Sequence, residues 1–560
     1  MTVSSLLASA FFAWTASSLV LAQTPVQVTL GETEVTGMSL NFGGLGVDFF
    51  GGLPFALPPL GELRFAPPVA VGVIDSPTFD ATGFGPACAQ MNVSPSSEDC
   101  LTLNVFRPAG FDASAALPVM VWIYGGGFAE GQTSIYNATE IIVQSVIRGT
   151  PVVYVSINYR VGPFGFPQGE EAARRGALNL GLKDQLAGLK WVQNNVRTFG
   201  GDPTKVTIFG QSAGAISIAD LFLHSHLEKF VRGAIFESGS QGTLPFFNAT
   251  QRQPAWDALT ALLPTCAGFA QNDKFACARE ASTDALLTAW TQSAAELPAV
   301  FLWAPVIDGP DGLIPDLPSR LLAAGKFSKI PFIAGTNLDD GTDFTPHTLN
   351  STTDLEEFLF VANLPFTTTP PETFEADVAE LLVLYPDNPA LGSPFGSGNN
   401  TFGAGLEYKR GAALLGDVAF QEPRRTWIQT ASGFGVPTFG YLFTDQNAAL
   451  ANPSLGVAHA TEITYVYGEE KLVNQNLNVR LLSSAMLDYW LSFVTSLTPN
   501  DGKGTPRTTW PQYKLSAQDI VQFDTTAFGN LSFANFAVVP DTYRAEQISF
   551  IRSVAGDLSQ

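Results

Sequence analysis

Short runs of apolar residues alternate with longer amphipathic segments along this chain. Apolar runs rich in β-branched and aromatic residues are typical of buried strands, whereas apolar residues that recur every three or four positions indicate helices. The strand pattern occurs at Val119–Tyr124, Val152–Asn158, Val206–Phe209, Gly233–Phe236, Phe332–Gly335 and Thr438–Phe443. The helical pattern occurs at Leu182–Val196 and Leu481–Ser496. This alternation predicts an α/β fold with a mostly parallel central sheet and helices on both faces.

Composition and charge narrow the class of protein. Of the 560 residues, 46% are hydrophobic and only 14% are charged, which is typical of a well-buried globular protein. The formal net charge of −22 argues against nucleic acid and anionic lipid surfaces as partners, because both bind basic patches. No internal repeat or Pro/Ser-rich linker divides the chain, so we expect residues 23–560 to form one domain.

The N-terminal segment has the features of a targeting sequence. Met1–Ala22 is apolar and ends in Val-Leu-Ala before Gln23, which predicts a secretory signal peptide over residues 1–22, although the usual Lys or Arg is missing. A membrane anchor is the alternative, but the apolar run is short and interrupted by Ser and Thr. No later segment is long and apolar enough to span a bilayer. We therefore expect a secreted, extracellular protein without stable membrane insertion.

Cysteines and glycosylation sequons fit secretion. The four cysteines fall in two close pairs, Cys88 with Cys100 and Cys266 with Cys277. Neither pair has the C-x-x-C spacing of a zinc site and no histidine lies among them, so we do not expect zinc. We also expect no other metal ion and no cofactor. Six N-x-[ST] sequons predict a glycoprotein, and they begin at Asn92, Asn137, Asn248, Asn350, Asn399 and Asn530.

The strand pattern at Val206–Phe209 leads directly into Gly210-Gln211-Ser212-Ala213-Gly214, and a helical pattern follows. A G-x-S-x-G sequence between a strand and a helix predicts a nucleophile elbow. In such a turn the serine has a strained backbone, and both glycines are required because a Cβ would collide there. The N-terminus of the following helix directs free N–H groups at an oxyanion beside the serine. Ser212 is therefore the candidate nucleophile.

A serine nucleophile needs a base, and the chain has four histidines. His224 and His226 follow the helix after the elbow, several turns from Ser212, and His347 lies in a polar loop. His459 lies in a loop of small residues that leads into apolar sequence. Spacing along the chain favours His459 and leaves the other histidines open.

An oxyanion hole needs a second donor besides the N–H of Ala213. The apolar strand pattern at Val121–Tyr124 opens into Gly125-Gly126-Gly127, where missing side chains let backbone N–H groups approach a reacting carbonyl closely. A flexible turn is the alternative, but three glycines directly after a buried strand are costly without a role.

Ordered motifs run through nearly all of the sequence after residue 22: Ser97–Leu101, Gly125–Phe128, Asn158–Gly165, Asn179–Gln185, Phe199–Pro203 and the elbow. With them the chain resembles the type-B carboxylesterase/lipase family, the α/β-hydrolases that include cholinesterases and fungal lipases. The resemblance implies Ser212 as nucleophile and His459 as base. It implies Gly126, Gly127 and Ala213 as oxyanion donors, and a disulfide within each of the two cysteine pairs.

Two positions depart from the family's pattern. The family usually has glutamate as the third triad residue, but here Asp340 aligns with that position. Its carboxylate is one methylene shorter, yet aspartate orients the imidazole in other serine hydrolases. Asp339 and, more distantly, Glu462 remain alternatives. Gln211 stands where many relatives have glutamate beside the serine, and the missing charge argues against choline esters.

The first cysteine pair encloses only Ala89–Asp99, which is too short for the helical flap of lid-bearing relatives. We therefore expect an open or slightly covered site, with a lid from another segment as the alternative. Phe344 and Phe301–Trp303 are candidates to line an acyl pocket.

Together these features predict a secreted carboxylic-ester hydrolase whose partner is a small-molecule or lipid ester. The expected substrates are uncharged esters of medium to long acyl chains or of aromatic acids. A true lipase or sterol esterase with interfacial activation is the alternative among enzymes. A noncatalytic adhesion ectodomain is the alternative from another class, although such proteins usually lose the serine or the histidine.

Overall fold

The computed structural model describes residues 24–224, 226–269, 273–297, 301–363, 366–474, 476–529 and 533–560. The predicted signal peptide 1–22 and the sequon at Asn530 lie outside these residues. The other five sequon asparagines are all exposed: Asn92, Asn137, Asn248, Asn350 and Asn399. Their side chains are therefore accessible to a glycosylating enzyme.

Within the described residues the chain forms fifteen strands. They are β1 Thr24–Leu30, β2 Thr33–Phe42, β3 Leu45–Pro54, β4 Thr78–Asp80, β5 Ala87–Cys88, β6 Ser96–Ser97, β7 Thr102–Pro108, β8 Leu117–Ile123, β9 Val153–Ile157, β10 Gly201–Gln211, β11 Gly233–Glu237, β12 Phe332–Asn337, β13 Thr438–Phe443, β14 Asp519–Phe523 and β15 Ala537–Pro540.

The described residues also form seventeen α-helices. They are α1 Thr139–Ile147, α2 Gly162–Gly165, α3 Gly169–Arg174, α4 Leu180–Asn195, α5 Ala213–Leu223, α6 Gln253–Ala261, α7 Lys274–Glu280, α8 Thr283–Glu296, α9 Pro318–Ala323, α10 Thr352–Asn363, α11 Pro371–Leu384, α12 Tyr408–Gly416, α13 Glu422–Gly433, α14 Ile463–Val466, α15 Glu469–Val473, α16 Leu477–Ser496 and α17 Ala545–Ser553. A π-helical segment, Asp417–Gln421, joins α12 to α13. Among the helices described, none combines the length and apolarity needed to cross a bilayer.

Thirteen strands form one large sheet, in the order β1-β2-β3-β7-β9-β8-β10-β11-β12-β13-β14-β15, with β4 alongside β2. The neighbours from β9 to β14 all pair in parallel. Strands β1, β2, β3 and β7 join this centre by antiparallel pairing, and β15 closes the other edge in the same way. The predicted parallel centre is confirmed, and an antiparallel flank that was not predicted extends it.

The six predicted strands correspond to β8 through β13, and the two predicted helices to α4 and α16. Strands β8, β9, β11 and β13 are buried along nearly their whole length, which is why their apolar pattern was readable. Strand β1 instead alternates between exposed and half-buried positions and gives a weaker signal. The largest error in a boundary is at β10, which begins at Gly201 rather than Val206.

Helices cover both faces of the sheet, as two consecutive residues of β11 show. The ring of Phe236 packs 5.4 Å from that of Phe222 in α5 and 6.3 Å from that of Trp427 in α13. The carboxyl of Glu237 accepts a hydrogen bond from Nε1 of Trp490 in α16 at 2.7 Å. Because consecutive strand residues point to opposite faces, α5 and α13 cover one face and α16 the other.

Both expected disulfides are formed, between Cys88 and Cys100 and between Cys266 and Cys277. The segment Ala89–Asp99 contains no helix and contributes only β6, which pairs with β5 in a separate two-stranded sheet. The first disulfide therefore closes a compact loop rather than the base of a helical flap.

Candidate active site

The turn between β10 and α5 places Ser212 at the carboxyl edge of the parallel strands. Its backbone has φ 54° and ψ −128°, a combination that residues other than glycine rarely adopt. The N–H of Ser212 donates to the carbonyl of Glu237 at 2.9 Å, and its own carbonyl accepts from the N–H of Ile216 at 2.9 Å. These two bonds hold the strained residue while its side chain stays partly exposed.

Gly210 and Gly214 make this turn possible because β8 passes close to it. A Cβ on Gly210 would lie 2.6 Å from the carbonyl oxygen of Ile123, and a Cβ on Gly214 would lie 2.0 Å from the same oxygen. Neither distance is tolerated without movement of the backbone. The predicted requirement for glycine on both sides of Ser212 is confirmed.

His459 and Asp340 form a hydrogen-bonded pair beside the elbow. Nδ1 of His459 lies 2.7 Å from Oδ1 of Asp340, and the two side chains are only 8% and 1% exposed. Because an ionised carboxylate can only accept, Nδ1 carries a proton, and in the neutral ring Nε2 then keeps a lone pair. In that neutral form the imidazole is able to take up a proton at Nε2.

The second oxygen of Asp340 is also held. Oδ2 accepts from the hydroxyl of Ser238 at 3.0 Å and from the backbone N–H of Asn337 at 2.8 Å. Ser238 follows β11 directly and Asn337 ends β12, so two neighbouring strands orient the carboxylate from their carboxyl ends. The contact of Ser238 was not predicted, although its position just after a predicted strand was a usable signal.

The alternative acids make other contacts. Asp339 accepts from the hydroxyl of Ser393 at 2.7 Å and from the backbone N–H groups of Phe395 and Val457, each at 2.9 Å. Its carboxylate therefore ties three loops together and does not bind the imidazole. The carboxyl of Glu462 accepts instead from the side-chain amide of Asn337.

No described hydrogen bond or ring contact joins the other histidines to this pair. The ring of His347 packs on Tyr408, with the ring centres 4.3 Å apart. His224 and His226 lie just beyond the C-terminus of α5, and the His226 side chain is 60% exposed. Since Ser212 precedes the N-terminus of α5, eleven helical residues separate them from it.

The candidate oxyanion donors come soon after the ends of β8 and β10. Gly126 and Gly127 have φ 108° and 62°, and their N–H groups bond to no other backbone group within the described ranges. Ala213 opens α5, where N–H groups have no intrahelical partner. A Cβ on Gly126 would lie 2.2 Å from the carbonyl oxygen of Glu130, so this turn needs glycine.

The loop closed by the first disulfide braces the glycine turn, which comprises residues 125–131 after β8. The side-chain amide of Gln90 donates to the carbonyl of Gly131 and accepts from the N–H of the same residue, both at 2.8 Å. Gln90 is itself buried. The loop between Cys88 and Cys100 thus supports the backbone at Gly131 from the side.

Three phenylalanine rings surround the imidazole and the glycine turn. The rings of Phe344 and Phe420 lie 5.0 Å and 4.9 Å from that of His459, and Phe344 lies 6.1 Å from Phe301. A Cβ on Gly127 would lie 2.8 Å from the ring of Phe301. Uncharged aromatic side chains therefore extend from Gly127 to the imidazole of His459.

Other aromatic positions differ from expectation. Leu302 and Trp303 are buried in a second hydrophobic core around the disulfide of Cys266, so only Phe301 of that predicted stretch faces the site. Phe420 lies in the π-helical segment, and nothing in its sequence context indicated a place at the site.

Buried carboxyl groups near His459 shift the pKa of its imidazole and of one another. Burial alone would lower the pKa of His459, but the hydrogen bond to Asp340 and its charge raise the pKa above its ordinary value. Burial, together with the charge of Asp340, raises the pKa of Glu462 to about 7. Burial and the charge of Glu462 raise the pKa of Glu237 well above its ordinary value. Below neutral pH these two acids are therefore largely uncharged.

One contact at the base was not foreseen. The side-chain nitrogen of Gln211 lies 3.1 Å from Nε2 of His459. In the sequence, Gln211 is distinctive only for the charge it lacks, because no local pattern indicates that its side chain reaches the imidazole.

Comparison with known proteins places this geometry in a family. The model of the carboxylesterase family matches residues 22–551. Lipase 2 of Geotrichum candidum is 34% identical over 576 residues, covering 95% of each chain. The secreted triacylglycerol lipase LIP1 of Gibberella zeae is 34% identical over 547 residues, covering 91% of this chain and 88% of its own.

Solved structures agree on the fold. The EstA structure of Aspergillus niger superposes with a TM-score of 0.82 at 25% identity, covering 96% of this chain and 99% of its own. A PNB esterase superposes with a TM-score of 0.74 at 27% identity, covering 94% and 100%. The chain therefore belongs to the carboxylesterase family of α/β-hydrolases and is a carboxylic-ester hydrolase.

Proposed function

We propose that this chain is a secreted serine esterase that cleaves uncharged hydrophobic or aromatic-acid esters through an acyl-enzyme on Ser212. The observation that carries the proposal is the strained, partly exposed serine at the edge of the sheet that also holds the His459–Asp340 pair. Strain of this kind persists where the surrounding structure enforces it, and it is common at functional sites.

Acylation begins when Oγ of Ser212 attacks the ester carbonyl. Nε2 of His459 takes the hydroxyl proton, and Asp340 stabilises the imidazolium through Nδ1. The N–H groups of Gly126, Gly127 and Ala213 donate to the oxyanion that forms on the carbonyl oxygen. The carbon–oxygen bond to the leaving alcohol then breaks, and Nε2 returns its proton to that oxygen.

Deacylation repeats the sequence with water. Nε2 of His459 removes a proton from a water molecule, whose oxygen attacks the acyl carbon on Ser212. The same three N–H groups hold the second oxyanion, and collapse returns the proton to Oγ and releases the acid. One base, alternately proton acceptor and donor, serves both halves of the reaction.

The side chains around the site favour an uncharged, apolar acyl group. Phe301, Phe344 and Phe420 offer only aromatic surface between the backbone donors and the base. Position 211 has an amide rather than a carboxylate, so no fixed negative charge is there to attract a cationic substrate. Aromatic and aliphatic acyl groups fit such a wall, whereas a quaternary ammonium group does not gain from it.

A triacylglycerol lipase is the second candidate, because the curated relatives at 33–34% identity are named as lipases. The first disulfide loop argues against a flap of its own in this chain, since it is short and braces Gly131. We therefore favour an esterase whose site is open without an oil–water interface.

The location, domain organisation and glycosylation of the enzyme are also part of the proposal. We propose that residues 1–22 direct secretion and that residues 23–560 form one α/β-hydrolase domain. The secreted lipases of Gibberella zeae and of Botryotinia fuckeliana, each 34% identical, support an extracellular location. The five exposed sequon asparagines and Asn530 are the proposed glycosylation sites.

Replacing Ser212 with alanine should lower kcat for a p-nitrophenyl ester by about 10⁶-fold while leaving the melting temperature near that of the wild type. His459→Ala should cost about as much, and the double variant should be no worse, because the two groups act as one unit. His347→Ala is the matched control and should remain active. Substantial turnover by Ser212→Ala, or inactivation by His347→Ala, would contradict the assignment.

Asp340→Asn should lower kcat by about 10⁴-fold in a folded protein, because an amide at this position can stabilise the wrong tautomer of His459. Asp339→Asn is the control, since it alters a neighbouring buried carboxyl that ties loops together. We expect it to reduce the melting temperature far more than the rate of the folded enzyme. The reverse order of effects on kcat would move the acid to Asp339.

Rate should follow simple saturation as the concentration of a short-chain ester passes its solubility limit or critical micelle concentration. The reason is that Ala89–Asp99 forms no flap that an interface would open. Initial rates measured across this limit test the point, with a lid-bearing lipase as the positive control. A sharp rise in rate at the limit would favour the lipase.

A further inference from the structure

The base of the proposed triad, His459, already has a hydrogen-bonding neighbour at Nε2. The side-chain nitrogen of Gln211 lies 3.1 Å from Nε2 of His459, while Nδ1 of the same ring is 2.7 Å from Asp340. Gln211 ends β10 and precedes Ser212, and it is buried. The atom that must accept the serine proton is thus in contact with a fixed neighbour from the elbow itself.

The chemistry of the two groups fixes which one donates. The carboxylate of Asp340 requires a proton on Nδ1, so in the neutral ring Nε2 of His459 has only a lone pair to offer. An amide NH₂ can donate to that lone pair, whereas an amide oxygen would face it with a repulsive lone pair of its own. Gln211 therefore turns its NH₂ towards the imidazole.

A hydrogen bond of this kind favours one protonation state. An N–H donor is satisfied by neutral imidazole, but it repels imidazolium, whose Nε2 carries a proton of its own. When Nε2 of His459 is protonated, the amide of Gln211 loses the lone pair that accepts its hydrogen bond. A carboxylate at position 211 would have the opposite effect, because it would accept from the imidazolium and stabilise it.

We propose that Gln211 is a positioning residue that keeps His459 neutral in the resting enzyme and so extends activity to lower pH. The proposal rests on the proposed role of His459 as base and adds the residue that tunes it. Because ester cleavage needs unprotonated Nε2, kcat/KM falls as the pH drops below the pKa of the imidazole in the free enzyme.

Other charges face the same imidazole and act in the opposite direction. Asp340 bonds to it, and the charges of Glu462 and Asp343 also raise the pKa of His459. The buried carboxyl of Glu237 interacts electrostatically with Glu462. Phe344 and Phe420, the rings packed on the imidazole, carry no charge. Among the described contacts of this ring, the amide of Gln211 is the group that opposes protonation at Nε2.

The test compares two substitutions of similar size. Gln211→Met removes the donor without adding charge, and Gln211→Glu replaces it with an acceptor. We expect the acid limb of kcat/KM to move to higher pH in both, by about half a unit for Met and by about one unit or more for Glu. At a pH below the limb, the glutamate variant should then be about tenfold slower than the wild type.

Gln185→Met is the matched control. Gln185 is also a buried glutamine, and its amide donates to the hydroxyl of Ser217 in α5 at 3.0 Å, but it does not bond to His459. Its loss should leave the acid limb where it is. Melting temperatures of all three variants show whether each is folded.

A direct titration separates this inference from the proposed function. With only four histidines in the chain, the ring C–H signals of labelled histidine report the pKa of His459 by NMR, whether or not the enzyme turns over. The pKa of His459 should be lowest in the wild type, higher in Gln211→Met and highest in Gln211→Glu. An unchanged pKa in folded Gln211→Met, or a lower one in Gln211→Glu, would overturn the role of Gln211. A shifted pKa together with an active His459→Ala would overturn the triad and leave the Gln211 contact standing.

Discussion

The backbone of Ser212 at φ 54° and ψ −128° is the constraint around which the site is arranged. The turn passes so close to β8 that the carbonyl of Ile123 excludes a Cβ at both Gly210 and Gly214. Parallel pairing of β8, β10, β11 and β12 then brings the carboxyl ends of four strands to one edge. The glycine turn, Ser212, the Ser238 hydroxyl and the acid loop follow these four ends in order, so sheet register sets their mutual positions.

Two buried carboxyl groups, those of Asp340 and Glu462, act on the imidazole of His459. The carboxylate of Asp340 is held by Ser238, by the N–H of Asn337 and by His459, which offsets the cost of burying its charge. Glu462, with a pKa raised to about 7, gains its charge only near neutrality. As pH rises through that value, its ionisation adds to the stabilisation of an imidazolium at His459. The amide of Gln211 acts against protonation from the other side of the ring.

The sequence was most informative where burial is continuous and where glycine is required. Strands β8 to β13 were predicted from their apolar runs, and helices α4 and α16 from apolar residues at helical spacing. The elbow was predicted because two glycines flank a serine between a strand and a helix. The antiparallel flank was missed because half-exposed strands such as β1 carry a weak alternating pattern. The contacts of Gln211 and Phe420 with His459 were also missed. They join residues 248 and 39 positions apart, so no local pattern records them.

Covalent labelling of the folded enzyme tests the central claim most directly, namely that the strained serine forms the acyl-enzyme. A fluorophosphonate ester should modify one residue per chain, found by peptide mapping at Ser212, with loss of activity proportional to the modified fraction. The rate of labelling should fall below the pKa of the imidazole, as hydrolysis does, because both need neutral Nε2 of His459. Stoichiometric labelling of another residue, or full hydrolytic activity in protein modified at Ser212, would contradict the account.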